Sequence, residues 1–232
     1  MRDDLPKYGL GSVELLGQFA TDLSVVNAAR VSFAKQKDVM DLGDEKLISF
    51  LLREHHGTPF EHGYFQFRIE APIFVFREWH RHRVGHSYNE MSARYVELPK
   101  HFYLPKAFRR QEGKPGNYTY VDMVPRTPLQ KLRTRYLLWL MTSSYKKSWR
   151  SYKSMIAQGI AKEQARAVLP MGIMSQMIWS CNPRSLMHFI GLRNNPKAQR
   201  EIKDLAAEAE MALQMTMPVT YSAFIKHGRV AP

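Results

Sequence analysis

The period of apolar and polar positions changes several times along the chain, and each change predicts an element. Val13 to Phe19 reads as a strand. Asp22–Ser32 and Asp44–His55 carry apolar residues at helical spacing, and Leu47, Phe50, Leu51 and Leu52 are expected to form the apolar face of the second. Tyr64 to Glu70 alternates cleanly, as a half-buried strand does. Pro72 is placed to open a helix over Ile73 to about Arg83, with Ile73, Phe76 and Trp79 as its packing surface. Arg94 to Leu98 predicts a strand ended by Pro99. Thr127-Pro128, a cap followed by a first-turn proline, starts the longest helix, to about Ala157. Leu129, Leu132, Tyr136, Trp139, Leu140, Trp149 and Tyr152 are its apolar residues, and its lysines and arginines read as a solvated face. A short helix over Lys162–Leu169 is stopped by Pro170, and Met171–Ser180 suits a strand. Asn182-Pro183 then caps a helix that ends at Asn194-Asn195-Pro196. Lys197–Leu213 follows with Ile202, Leu205, Ala206, Ala209 and Leu213 as its stripe, and a short helix after Pro218. Residues 100–126, rich in Pro, Gly and Lys/Arg, read as a surface excursion.

No repeat, low-complexity tract or Gly/Ser linker interrupts the pattern, so 1–232 is expected to be a single domain. The elements predict an α+β fold, with a mostly antiparallel sheet flanked by several helices, one of them long. No apolar run is long enough to span a bilayer, and Met1–Pro6 has no apolar signal core. The only cysteine, Cys181, excludes an internal disulfide and fits a reducing compartment, so a cytoplasmic protein is expected.

The formal charge of +13 calls for an anionic partner, either nucleic acid or a set of small phosphorylated ligands. The arrangement of the charges separates the two. Arg81-His82-Arg83-Val84-Gly85-His86-Ser87-Tyr88-Asn89-Glu90-Met91-Ser92-Ala93-Arg94 is too polar for a core. Its guanidinium forks suit phosphate or carboxylate, and its serines, asparagine and glutamate suit a base or sugar edge. A solvated basic loop is the plain alternative. Farther on, Arg184 and His188 fall one turn apart behind the Asn182 cap, so a free helix N-terminus with an arginine offers a phosphate site. His55, His56 and His62 with Glu61 suggest a metal at first sight, but their spacing is not a tight ligand signature and no metal is expected.

Arg81-His82-Arg83 followed by eight residues and Ser92 resembles the signature of the flavin-dependent thymidylate synthases. The resemblance continues in His56-Gly57-Thr58, in Gln164-Ala165-Arg166-Ala167-Val168-Leu169-Pro170 and in Asn182-Pro183-Arg184-Ser185-Leu186. It covers roughly residues 20–225. It implies methylation of dUMP to dTMP, with methylenetetrahydrofolate as carbon donor and NADPH-reduced FAD as hydride source. It also implies a homotetramer with shared active sites. Carried over residue by residue, the flavin contacts are His56, Thr58, Arg81, His82, Arg83, Glu90, Asn182, Pro183, Arg184 and His188. The dUMP contacts are Glu78, Trp79, His80, Arg81, Glu90, Met91, Ser92, Ala93, Arg94, Arg166 and Arg193. Arg193 is expected to polarise the uracil edge as charge develops, with Arg166 assisting. Two positions depart from the family: Glu78 stands where glutamine is frequent, and Lys197 where histidine can occur.

One feature of the residues agrees independently. A methylase that works by nucleophilic addition needs an activated cysteine. Cys181 lies at the end of an apolar strand with no histidine near it in sequence, so it is expected to be packing. The other function considered is a basic nucleic-acid-binding module built on the long helix and the 81–94 loop. That reading gives no reason for Glu90, Asn182 and His188 to accompany the arginines.

Overall fold

A computed structural model of the chain describes residues 7–232; the expectation about Met1–Pro6 lies outside the described residues. In chain order the strands are β1 (Lys7–Tyr8), β2 (Ser12–Phe19), β3 (Tyr64–Pro72), β4 (His86–Glu90), β5 (His101–Phe102), β6 (Arg109–Lys114), β7 (Asn117–Asp122) and β8 (Met174–Cys181). The helices are α1 (Asp22–Arg30), α2 (Leu42–Arg53), α3 (Ile73–Trp79), α4 (Pro128–Ala157), α5 (Lys162–Ala165), α6 (Pro183–Arg193), α7 (Arg200–Thr216) and α8 (Pro218–Lys226). The β2/β3, β4/β8 and β6/β7 pairs are antiparallel, and the short β1/β5 pair is parallel. The fold is α+β, as expected. The described residues pack as two compact units: Gly11–Met91 with Gln176–Pro232, and 7–10 with Ser92–Ser175.

The first of these holds most of a four-stranded sheet in the order β2-β3-β8-β4. The alternation in β3 sends Phe65, Phe67 and Ile69 inward. Phe67 meets Trp179 of β8, which packs with Trp79 of α3 and Phe189 of α6 in a buried aromatic cluster. Trp79 and Phe189 are centred 4.6 Å apart, Trp179 and Phe189 4.9 Å, and Phe67 and Trp179 5.0 Å. The predicted stripe of α7 is buried in full. Asp22 of α1 accepts from Val219 N, Thr220 N and Thr220 Oγ1, so a carboxylate satisfies the orphan donors at the start of α8.

Three expectations in this unit change. In α2 the buried positions are Asp44, Ile48, Leu51 and Leu52, whereas Phe50 is exposed. Asp44 sets that phase, because it turns inward to pair with Arg30 and Lys37. The helix after Pro72 stops at Trp79 instead of Arg83. There His82 N bonds back to Trp79 O, and Gly85, at φ +71°, turns the chain into β4. The helix expected from Lys197 begins at Arg200.

In the other unit, Arg94–Leu98 is no strand. Tyr95 N and Val96 N both bond to Ser92 O, which closes a local turn. Residues 100–126 hold β5 and a hairpin, β6–β7, with Pro115-Gly116 at its tip. α4 runs over the predicted residues, capped by Thr127 in a capping box with Gln130. Its apolar residues are the surprise. Tyr145 and Tyr152 are buried, but Leu129, Leu132, Tyr136, Trp139 and Leu140 lie exposed.

Candidate functional site

Helix α6 gathers two of the informative segments. Asn182 Oδ1 caps it by accepting from Ser185 N at 2.8 Å. Ser185 Oγ donates to Val84 O at 3.0 Å, which ties the Arg81–Gly85 loop to the first turn. Gly85 is required there. A Cβ on it would lie 2.2 Å from Ser185 Oγ and 3.0 Å from Asn182 Nδ2, and its φ is positive. The His56–His62 turn arrives from the other side: a Cβ on Gly57 would lie 2.6 Å from Arg184 Nε, and Arg184 pairs with Glu61. His56, Thr58, Arg81, Arg83, Glu90, Arg184 and His188 all remain exposed. Asn182 is half-buried, and His82 and Pro183 are buried.

Arg193, at the far end of α6, is the most constrained guanidinium of this unit. Its side chain is 18% exposed. Nη1 donates to Glu78 Oε2 at 2.6 Å, Nη2 to Glu78 O at 3.0 Å, and Nε to His82 Nε2 at 2.9 Å. Three of the five guanidinium N–H groups are thus engaged, leaving about two for a ligand. The bond from Nε requires a lone pair on His82 Nε2, so His82 is neutral. Burial, then the charges of Arg193 and the neighbouring histidines, push its pKa down to about 3. His86 is pushed down to about 4, mainly by burial, and its Nδ1 accepts from Trp179 Nε1 at 3.0 Å. Tyr88 donates to His82 O at 2.8 Å, which fixes the loop from the sheet side. Glu78 is therefore the main clamp on Arg193.

The structure adds detail at two further residues. Trp79 is fully buried among aromatic rings, so its indole is core and not a wall for a ligand. Cys181 does have a histidine beside it, which sequence distance hid: His86 is its register partner across β4 and β8. The pair does not make a nucleophile. Burial raises the Cys181 thiol well above its ordinary range, and depressed, hydrogen-bonded His86 is a poor base.

Ser92, Ala93, Arg94 and Arg166 belong to the other compact unit. There Arg94 Nε donates to Glu163 Oε2 at 3.1 Å, and Lys162 Nζ donates to Tyr95 O at 3.0 Å. These bonds bring the Ser92–Arg94 turn to the α5 segment that leads into exposed Arg166. Glu163 and Lys162 make that link, and sequence reading did not single them out. Among the described residues no group of His, Cys, Asp and Glu could hold a metal ion. No described helix is long and apolar enough to cross a membrane.

The donor set fits an anionic flavin nucleotide. Arg81 and Arg83 present exposed forks with no ion-pair partner among the described residues, on the loop that Ser185 ties to the first turn of α6. Such a site defines a class: an α+β nucleotide-binding enzyme whose cationic residues come from scattered segments. The family model for thymidylate synthase complementing protein matches residues 14–219. Two relatives are flavin-dependent thymidylate synthases. That of Streptomyces avermitilis is 45% identical over 95% of this chain and 93% of its own. That of Streptomyces coelicolor is 44% identical over 99% and 98%. The chain belongs to the flavin-dependent thymidylate synthase family. Among solved structures it resembles the UMP/dUMP methylase PolB of Streptomyces cacaoi bound with 5-Br UMP. The two are 40% identical with a TM-score of 0.86, over 98% of this chain and 99% of that one.

Proposed function

We propose that the chain is a methyltransferase that converts dUMP to dTMP, with 5,10-methylenetetrahydrofolate as carbon donor, FAD as cofactor and NADPH as reductant. The observation that carries this reading is the clamp on Arg193: a half-buried cation held by Glu78 and neutral His82, with donors still free. Such a group stabilises negative charge on a uracil carbonyl without reorganising at the moment of reaction. Bound flavin supplies the hydride chemistry that no side chain here provides. Arg81, Arg83 and His188 hold its anionic and polar parts, and Arg184 stiffens the turn that carries His56 and Thr58. Ser92 and Arg94 bind the nucleotide phosphate, and Arg166 assists at the uracil edge. Cys181 takes no covalent part.

The family match spans segments of both compact units and supports reading 1–232 as one functional domain. The exposed apolar half of α4 supports an assembly of copies, proposed as a homotetramer with shared sites. A cytoplasmic location goes with the single buried cysteine. Nucleic acid is not a partner in this reading.

The test is direct. The purified protein is expected to be yellow, to bleach with NADPH, and to form dTMP when methylenetetrahydrofolate and dUMP are added. A colourless protein that takes up no FAD overturns the reading. UMP is assayed beside dUMP, because PolB is a methylase of both. Methylation of UMP at the dUMP rate replaces the dUMP-specific reading with the broader one.

A further inference from the structure

We propose that the groove between the β6–β7 hairpin and the first turns of α4 binds an organic phosphate of mononucleotide size. The groove is a cavity of about 410 Å³, in the size range of small-molecule sites. Arg110, Arg126 and Arg133 line it against a single carboxylate, Asp122, so the lining carries a clear positive excess. Arg110 is held by Glu112 at 2.5 Å. Arg126 and Arg133 have no side-chain partner among the described residues, so their planar forks are free for an anion.

The frame under these arginines is fixed. Gln130 Oε1 accepts from Arg126 N at 2.8 Å and from Thr127 N at 3.1 Å, and Met123 N donates to Phe108 O at 2.7 Å. Gln130 and Thr134 add polar lining, and the rest of the wall is apolar. Val121, Met123 and Val124 line the same cavity, and both valines are exposed. Phosphate on the forks and a carbon moiety on this wall satisfy both halves of the lining. A bare inorganic anion satisfies only one. None of these residues is among those proposed for dUMP or FAD, so the site stands or falls apart from that reading.

The experiment uses the full-length protein loaded with FAD and dUMP, which occupies the sites proposed for those two ligands, and the arginine variants separate this groove from any site for NADPH. ADP and inorganic pyrophosphate are titrated separately by calorimetry. Saturable ADP binding, tighter than pyrophosphate, is expected. Arg126→Ala with Arg133→Ala should weaken it about tenfold for each guanidinium removed. Arg126→Lys with Arg133→Lys keeps the charge but not the forks and should fall between. Circular dichroism of both variants checks folding, which these exposed positions are not expected to disturb. ADP binding that is absent, unchanged in the double alanine variant, or no tighter than pyrophosphate overturns the proposal.

Discussion

Helices α7 and α4 carry apolar residues at similar spacing and meet opposite fates. In α7, Ile202, Leu205, Ala206, Ala209 and Leu213 are all fully buried by their own chain. In the first half of α4, Leu129 is 75% exposed and Trp139 59%, although the second half buries Tyr145 and Tyr152. The same apolar residues that complete a core in one place make an open face in the other. An open face of this size on a folded protein marks a surface that something else covers. Here that is proposed to be another copy of the chain. One region is therefore finished by intramolecular packing, and stability tests should find it there. The other is finished by association, and tests of molecular mass should find it there.

The largest expected effect is in the packed region. Phe189→Ala removes a ring held between Trp79 and Trp179 and should cost about 3–5 kcal/mol of unfolding free energy, read by denaturant titration. A loss below about 1 kcal/mol would mean that the cluster is not the core it looks like.

Acid comes next. His82 and His86 have folded pKa values of about 3 and about 4, below the ordinary value of about 6.5. Above pH ~6.5 both states are neutral and nothing is gained or lost. Below it the unfolded chain binds protons that the folded chain refuses, so stability falls. By pH 5 the loss should be on the order of 2 kcal/mol for each histidine, and it should shrink in His86→Phe. Stability that stays flat from pH 7 to 5 would mean that these rings are charged or solvated.

Cys181→Ala should cost about 1 kcal/mol in stability and leave dTMP formation within about threefold of wild type, because the thiol only fills space. A folded but inactive variant would reopen covalent catalysis. The smallest effect on the fold belongs to α4. Leu132→Asp with Trp139→Asp should change helix content little, since both side chains already face outward. Sedimentation should nevertheless show a smaller particle. An unchanged mass would mean that the exposed face is not the contact between copies.

The same contrast explains how much of this was legible in the sequence. Elements with a buried face announced themselves, β3 by its alternation and α7 by its stripe, while α4 and α6 were marked by Thr127 and Asn182 at their caps. The β6–β7 hairpin did not, because nearly every residue of both strands is exposed and no inward period is imposed on it. Phe50 was misplaced because a buried charge, Asp44, fixed the helix phase that apolar counting assigned to it. The site residues could be listed from the resemblance, but their roles depend on contacts across long sequence separations. Nothing local predicts that Glu78 and His82 hold Arg193. Nor does sequence distance reveal that His86 faces Cys181 across a strand pair.

The clamp on Arg193 carries the functional account, and one measurement addresses it. Single-turnover dTMP formation is followed in Arg193→Ala loaded with FAD, NADPH, methylenetetrahydrofolate and dUMP. The account predicts that flavin absorbance is retained while the rate falls by roughly 10²–10³, the range expected when one preorganised charge-stabilising donor is removed. A variant that forms dTMP within about tenfold of the wild-type rate contradicts it.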